Sequence, residues 1–118
     1  MRMKLLTVLV TLGLGSMAAQ SAVTDQMIEN DAKTGGDILS WGLGTQGQRH
    51  STLRQVTSAN ANQLTPVWAF SFGGEKQRGQ EAQPVIHNGK MFVTASYSRL
   101  FALDAATGKK LWKYEHRL

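Results

Sequence analysis

Cysteine is absent from this sequence, and proline occurs only twice among its 118 residues. Without cysteine, this stretch cannot hold a disulfide scaffold, a thiolate metal site or a cysteine nucleophile. Charged residues are also scarce, at 18% of the total, below the usual quarter. That composition excludes a disordered acidic tail and a coiled coil, and the length suits one modest domain at most.

Residues 1–22 have the order of regions typical of a secretory signal peptide. Two basic residues open the stretch, residues 5–14 are almost entirely apolar, and small residues follow. The apolar run is shorter than the ~20 residues that a membrane span needs, which argues against a membrane anchor. We therefore expect export, with cleavage between Ala18 and Ala22 and no membrane span in the mature protein.

The formal net charge of the whole chain is +5, and two of its basic residues lie in the predicted signal peptide. The remaining basic residues are scattered, with the densest group at 109–113. Binding to nucleic acid needs basic side chains clustered on one face of the protein. The charge pattern therefore predicts no nucleic-acid partner.

The stretch that follows, residues 23–63, is predicted to be an irregular lead-in segment. A short helix is expected to begin at Thr24 or Asp25, and glycines interrupt the chain after it. Residues 64–72 are rich in aromatic side chains and predict an outer strand, in which Pro66 favours an edge position. A polar loop joins this predicted strand to the remainder of the chain.

Four short antiparallel strands are predicted within residues 84–118. The first two flank Asn88-Gly89, the strongest short signal for a β-hairpin, because both residues tolerate positive φ. Between the last two strands, Gly108 lies where the turn needs a left-handed residue. The strands are expected at 84–87, 91–95, 100–103 and 111–115.

Apolar side chains are expected on both faces of this four-stranded sheet. One sheet and a polar lead-in segment cannot cover both faces, so two-sided strands imply another sheet on each side. A four-stranded sheet stacked between like neighbours is the blade of a β-propeller, and such repeats are not stable singly. The sequence contains no second copy of the pattern, so we expect the chain to be incomplete as a fold.

The segment 102–112, ALDAATGKKLW, resembles the tryptophan-docking motif of the quinoprotein dehydrogenases. In that family the motif closes a blade of an eight-bladed propeller, and its tryptophan packs against the neighbouring blade. Further segments that look like the family's N-terminal region lie at 41–53, 60–68, 74–84 and 95–104. Together they are similar to the methanol and ethanol dehydrogenases that depend on pyrroloquinoline quinone (PQQ), and they resemble the ethanol dehydrogenases most. The match runs from about residue 31 to residue 118.

The resemblance implies an all-β fold that forms the beginning of an eight-bladed β-propeller. The outer strand would occupy residues 64–72 and the first four-stranded blade residues 84–118, after the signal peptide and the lead-in segment. The family implies a periplasmic enzyme that oxidises primary alcohols to aldehydes and passes electrons to a soluble c-type cytochrome. The implied cofactors are PQQ and Ca²⁺ or a lanthanide, and a homodimer is the assembly considered for the complete protein.

One cofactor-binding residue is implied on this chain. In the family, the glutamate of a Gln-Glu-x-x-Pro loop contacts the quinone cofactor, and that position here is Glu81. A carboxylate that faces a tricarboxylated cofactor must share a proton or have a cation nearby. On spacing alone Glu81 reads as a solvated loop carboxylate, so the contact with PQQ is what the resemblance implies.

No catalytic residue and no metal ligand is assigned to this chain. The family's reaction needs a catalytic aspartate, a metal site and a vicinal pair of cysteines, and this chain has no cysteine. We expect the aspartate and the metal site to lie beyond these 118 residues, which alone should show no turnover. Two alternatives stay open: a non-catalytic propeller that scaffolds protein assembly, and a truncated remnant without function.

The histidines and the largest aromatic residues are expected to serve structure. No two histidines have the spacing of metal ligands, so His50 is expected to pack, and His87 and His116 to lie on the surface. Core positions are expected for Trp68, Trp112 and Tyr114.

Overall fold

The computed structural model describes residues 22–73 and 80–116, and within them it contains one antiparallel sheet of four strands. The predicted signal peptide lies outside the described residues apart from Ala22. No helix within the described ranges is long and apolar enough to cross a bilayer. The elements, in chain order, are α1 (Asp25–Glu29), α2 (Asp31–Thr34), a 3₁₀ turn (Ala61–Gln63), β1 (Val85–His87), β2 (Lys90–Ala95), β3 (Arg99–Asp104) and β4 (Lys110–Glu115).

The four strands follow one another in the sheet as they do in the chain, which confirms the predicted blade. Asn88 and Gly89 adopt φ values of 49° and 70°, as a two-residue hairpin loop between β1 and β2 requires. In the turn between β3 and β4, the Asp104 carboxylate accepts hydrogen bonds from the Thr107 backbone N–H (2.8 Å) and hydroxyl (2.7 Å). The short turns therefore arise from local sequence, as predicted.

One face of the sheet holds the core. Val93, Phe101 and Leu103 are buried there, in register across β2 and β3. The aromatic segment 64–72 lies over this face, with the rings of Phe70 and Phe72 each 5.4 Å from that of Phe101. Offset and edge-to-face ring contacts at this separation stabilise a core beyond their buried area. The segment 64–72 thus covers the hydrophobic core.

The segment 64–72 differs from its prediction in one respect. No strand is assigned there within the described residues 22–73, although a strand was expected. A strand exists only when a neighbouring strand takes its backbone hydrogen bonds, and the side chains that pack on the core do not supply them. Within the described residues the segment packs on the core without pairing, and the expected outer strand at 64–72 stays a prediction for the complete propeller.

The opposite face of the sheet is open. Phe92 and Trp112 form a ring pair on it with centroids 6.0 Å apart. Trp112 is 44% exposed and Tyr114 is 56% exposed, so the prediction that both are core residues is wrong for this structure. Both belong to the edge strand β4, and every residue of that strand is exposed. An uncovered apolar face on a single sheet is the expected condition of a propeller blade without its neighbour.

The lead-in segment is short of regular structure but well connected. Thr24 caps α1 by accepting a hydrogen bond from the Met27 backbone N–H (3.3 Å), as predicted. The helical stretch breaks at Asn30 and ends at Gly35, which has the left-handed φ of 62°. Ile38 then pairs with Ile86 of β1 through two backbone hydrogen bonds of 2.8 Å. The lead-in segment is therefore joined to the first strand of the blade.

A buried carboxylate organises the lead-in segment. Asp31 is 1% exposed, and it accepts hydrogen bonds from the Leu39 backbone N–H (2.9 and 3.0 Å) and from both the backbone N–H and the hydroxyl of Ser40 (2.9 Å each). Buried carboxylates are tolerated when their oxygens are satisfied in this way. The Ser40 hydroxyl in turn accepts from the Gly44 backbone N–H at 2.6 Å. Asp31 thereby folds the loop that follows α2.

Candidate functional site

Glu81 is exposed and lies on the short connection that leads into β1. The residue before it, Gln80, donates a hydrogen bond from Nε2 to the carbonyl oxygen of Thr94 on β2 (2.6 Å). This contact places the connection at the end of the sheet where β1 begins and β2 finishes. A carboxylate held there is open to an approaching group, because nothing buries it.

The same end of the sheet contains a buried arginine that the sequence interpretation missed. Arg99, 6% exposed, donates from Nε to the Ser96 carbonyl (2.7 Å) and from Nη1 to the Phe72 carbonyl (2.9 Å). Its guanidinium therefore ties the β2–β3 turn to the end of the aromatic segment 64–72. The signal that could have found it is a single arginine followed by four apolar residues of the same strand, where a buried charge needs fixed partners.

The connection 80–84 is also tied to the lead-in segment. Gln83 donates from Nε2 to the Ser40 carbonyl at 3.4 Å, and Ser40 is itself held by the buried Asp31. A hydrogen bond at 3.4 Å is long and therefore weak. Glu81 thus lies between a short hydrogen bond to the sheet and a longer one to the lead-in segment.

A second polar cluster lies at the opposite end of the sheet, beside the hairpin loop. Asp37 Oδ2 is 2.9 Å from His87 Nδ1, and Asp37 Oδ1 accepts from the Asn88 backbone N–H at 3.1 Å. The prediction that His87 lies on the hairpin surface is therefore wrong, since its side chain is only 16% exposed and contacts Asp37. His50 was expected to pack but is exposed, whereas His116 is exposed as predicted.

The His87 ring is occupied on both sides, which decides what the cluster can do. Nδ1 faces the Asp37 carboxylate, and Nε2 is 3.0 Å from the Asn88 side-chain nitrogen. With Nδ1 donating to the carboxylate, Nε2 is an acceptor for the amide, and neither nitrogen is presented to a substrate. The Asp37–His87 pair therefore fastens the lead-in segment to the hairpin, and it is not an exposed acid–base pair.

Two observations limit the chemistry of the described residues. Within 22–73 and 80–116, no three His, Cys, Asp or Glu side chains come together as metal ligands would. A cavity of about 270 Å³ lies between the lead-in segment and β1. Its lining includes the apolar residues Ile38, Leu53 and Ile86, and the polar residues Asp31, Asp37 and Ser51. Glu81 does not line this cavity. The Glu81 carboxylate is therefore accessible, and this cavity does not enclose it.

Among the described residues, one side chain has a clearly shifted pKa, and this side chain, Asp104, lies in a turn. The Thr107 hydroxyl, and after it the Thr107 backbone N–H, lower the pKa of Asp104 from its ordinary value of 3.8. Hydrogen bonds to the ionised form have this effect because they favour the carboxylate over the acid. Asp104 lies in the β3–β4 turn, so its shift concerns the stability of the blade.

Most of the chain is similar to proteins of one known family. The family described as "PQQ: Glucose/ethanol/alcohol dehydrogenase, beta-propeller domain" matches residues 39–118. The quinoprotein ethanol dehydrogenase of Pseudomonas aeruginosa is 57% identical over 109 residues, which make up 92% of this chain and 18% of that protein. The 1-butanol dehydrogenase (quinone) of Thauera butanivorans is 56% identical over 101 residues, or 86% of this chain and 16% of that protein.

A solved structure agrees with these sequence matches. The quinohemoprotein alcohol dehydrogenase from Comamonas testosteroni superposes with a TM-score of 0.72 at 33% sequence identity, covering 81% of this chain and 14% of that protein. The chain thus spans less than a fifth of the length of the proteins that it matches. The open sheet face and the exposed Glu81 are consistent with a chain that spans only this small part of its relatives' length.

Proposed function

Because the chain belongs to the β-propeller family of PQQ-dependent glucose, ethanol and alcohol dehydrogenases, we propose that it is the N-terminal part of a periplasmic enzyme that oxidises primary alcohols to aldehydes. The observation that carries the proposal is a sequence identity of 57% with a quinoprotein ethanol dehydrogenase, in an alignment that covers 92% of this chain. The apolar N-terminal run, followed by small residues, supports export. No feature of the described residues favours the alternative of a scaffold without catalysis.

The proposal gives Glu81 the role of a PQQ contact. When bound, PQQ supplies the quinone that accepts the electrons of the alcohol. Glu81 fits this role in two respects: its carboxylate is exposed, and its backbone is anchored next to the sheet by Gln80. A carboxylate beside a tricarboxylated cofactor also needs a shared proton or a nearby cation. The remaining contacts of PQQ are assigned to parts of the complete enzyme outside this chain.

The other parts of the reaction are likewise assigned to the rest of the complete enzyme. These are the catalytic aspartate, the ligands of Ca²⁺ or a lanthanide, and the cysteine pair, since the chain has no cysteine. A soluble c-type cytochrome is the proposed electron acceptor, and a homodimer the proposed assembly. The role of the chain itself is to form the first blade, to cover its core with the segment 64–72 and to present Glu81.

Two experiments test the proposal. The first is the intact mass of the native periplasmic protein recognised by an antibody against residues 84–118. A species several times heavier than this 12.9 kDa chain is expected. A species at the mass of the processed chain alone would contradict the proposal and leave a remnant without catalysis.

The second experiment is a chimaera in which the 109 matching residues of this chain replace their counterparts in the Pseudomonas aeruginosa enzyme. We expect the purified chimaera, given PQQ and Ca²⁺, to reduce an artificial dye with ethanol at a rate within about tenfold of the parent. The isolated chain, given the same additions, should reduce none. A folded chimaera that is inactive would contradict the proposal and favour the scaffold.

A further inference from the structure

The connection 80–84 carries the proposed cofactor contact, and its geometry says how that contact is held in place. Gln80 binds the Thr94 carbonyl at 2.6 Å, whereas Gln83 binds the Ser40 carbonyl at 3.4 Å. The Gln80 bond is the shorter of the two, and it is made by the residue directly before Glu81. Its acceptor belongs to a strand that pairs with β3 along its whole length. Gln80 is therefore the firmer of the two anchors.

The sheet explains why a side chain is needed at this point. β1 pairs with β2 only at Lys90–Phe92, whereas β2 continues to Ala95. The part of β2 that contains Thr94 therefore extends beyond its neighbour β1. The Gln80 carboxamide supplies a hydrogen-bond donor beside this extension, where the backbone of β1 does not reach. In this way the chain is attached to the sheet before the first strand begins.

We propose that Gln80 is a positioning residue for Glu81: it fixes the backbone beside Glu81 to β2, so that the carboxylate meets PQQ from a preformed position. This inference rests on the proposed function, in which Glu81 contacts PQQ. An exposed carboxylate on an unanchored loop would lose conformational freedom when it bound the cofactor, and that loss weakens binding. The Gln80–Thr94 hydrogen bond removes part of the loss in advance.

The test measures the affinity of the chimaeric apoenzyme for PQQ by titration of its tryptophan fluorescence, without alcohol or dye. The variants are Gln80→Met, Glu81→Ala and the double variant. Gln80→Met keeps the length of the side chain and removes the donor. Gln63→Met is the matched control, because the described hydrogen bond of Gln63 is made by its backbone N–H, in the 3₁₀ turn of the lead-in segment.

We expect Glu81→Ala to weaken PQQ binding and Gln80→Met to weaken it by about three- to tenfold, as the loss of one hydrogen bond does. In the Glu81→Ala background, Gln80→Met should cause no further loss, because a positioning residue has nothing left to position. Gln63→Met should leave the affinity unchanged. Hydrogen exchange of the 80–84 peptide in the apoenzyme should rise in Gln80→Met, while that of β3 stays the same.

The outcomes separate the two proposals. If Glu81→Ala leaves the affinity for PQQ unchanged, the assigned cofactor contact is wrong, and the role of Gln80 is wrong with it. If Glu81→Ala weakens binding but Gln80→Met does not, only the positioning role is overturned. Equal losses from Gln80→Met in both backgrounds would also overturn it, because general destabilisation or a direct contact with PQQ acts without Glu81.

Discussion

The indole of Trp68 lies directly against Gly108, on the turn between β3 and β4. A Cβ atom at Gly108 would stand 2.5 Å from Trp68 Cδ2, closer than real Cβ contacts allow. The indole N–H of Trp68 also donates to the Ala105 carbonyl in the same turn (3.2 Å). Trp68 thus attaches the segment 64–72 to the β3–β4 turn at a position that admits only glycine.

Gly108→Ala should destabilise the blade for two reasons. Its φ of 70° costs an alanine about 1 kcal/mol, and the collision with Trp68 adds about 1–3 kcal/mol. Gly89→Ala is the matched control, since Gly89 has the same φ of 70° and open space around it. The free energy of opening of β3 and β4, measured by hydrogen exchange in the chimaera, should fall more for Gly108→Ala. Equal losses would show that the contact with Trp68 has no energetic effect.

Asp31→Ala should unfold the loop that follows α2. The substitution leaves the backbone N–H groups of Leu39 and Ser40 without their acceptor in a buried site, which costs about 3 kcal/mol or more. Asp25→Ala, at the exposed first turn of α1, serves as the control and should cost well under that. Exchange of amides 37–44 in the chimaera reports the effect. Protection that survives Asp31→Ala would contradict the assigned role.

The stability of the β3–β4 turn should depend on pH through Asp104. The Thr107 hydroxyl and backbone N–H lower the pKa of Asp104 in the folded state. The ionised Asp104 therefore contributes its full share to stability at pH values above its ordinary pKa of 3.8. That contribution is lost as the pH falls further, through the lowered pKa of the folded state. The melting temperature of the chimaera should therefore exceed that of Asp104→Asn by a constant amount from pH 5 to 7, and the gap should close below about pH 4.

Thr107→Val provides the control for this pH dependence. It removes the hydroxyl that is the largest cause of the shift while leaving the carboxylate in place. In the Thr107→Val background, the difference in melting temperature between the protein with Asp104 and the Asp104→Asn variant should shrink, and it should depend less on pH. A gap that stays constant down to pH 3 would contradict the assignment.

The isolated processed chain, residues 23–118, should associate with itself. The open face of the sheet exposes Trp112 and Tyr114 on an edge strand, and such edges pair with other chains. Light scattering should show a smaller assembly for the double variant Trp112→Lys, Tyr114→Lys. Leu64→Lys, which changes an exposed apolar residue away from the sheet, is the control. Association that is unaffected by the double variant would place the contact elsewhere.

Local features of the fold could be predicted from the sequence, and distant contacts could not. Asn88-Gly89 and Gly108 determine their turns through their own φ preferences, so the order of the strands followed from residues near one another. The pairing of His87 with Asp37 joins residues 50 apart, and no local pattern indicates it. The same holds for Arg99, whose partner Phe72 belongs to a different segment.

The candidate site was even less accessible to pattern reasoning. Composition and spacing leave Glu81 a loop carboxylate, and only the family resemblance singles it out. Gln80 was visible in the sequence as part of the same loop, but its role depends on β1 being shorter than β2. The sequence shows two strand-forming runs on either side of the same turn. It does not show that β1 is shorter than β2, which is a property of the folded sheet.

The bridge between Ile38 and Ile86 has a consequence for the order in which this region folds. The lead-in segment is synthesised first, yet its fastening points on the hairpin, Ile86, His87 and Asn88, emerge from the ribosome later. Because a contact between residues fifty apart costs more loop-closure entropy than a two-residue hairpin, we expect the hairpin to form before the lead-in segment settles on it. The lead-in segment is therefore expected to be among the last parts of this region to reach its native position. Substitutions in the hairpin loop should delay the folding of a segment that precedes it by some fifty residues.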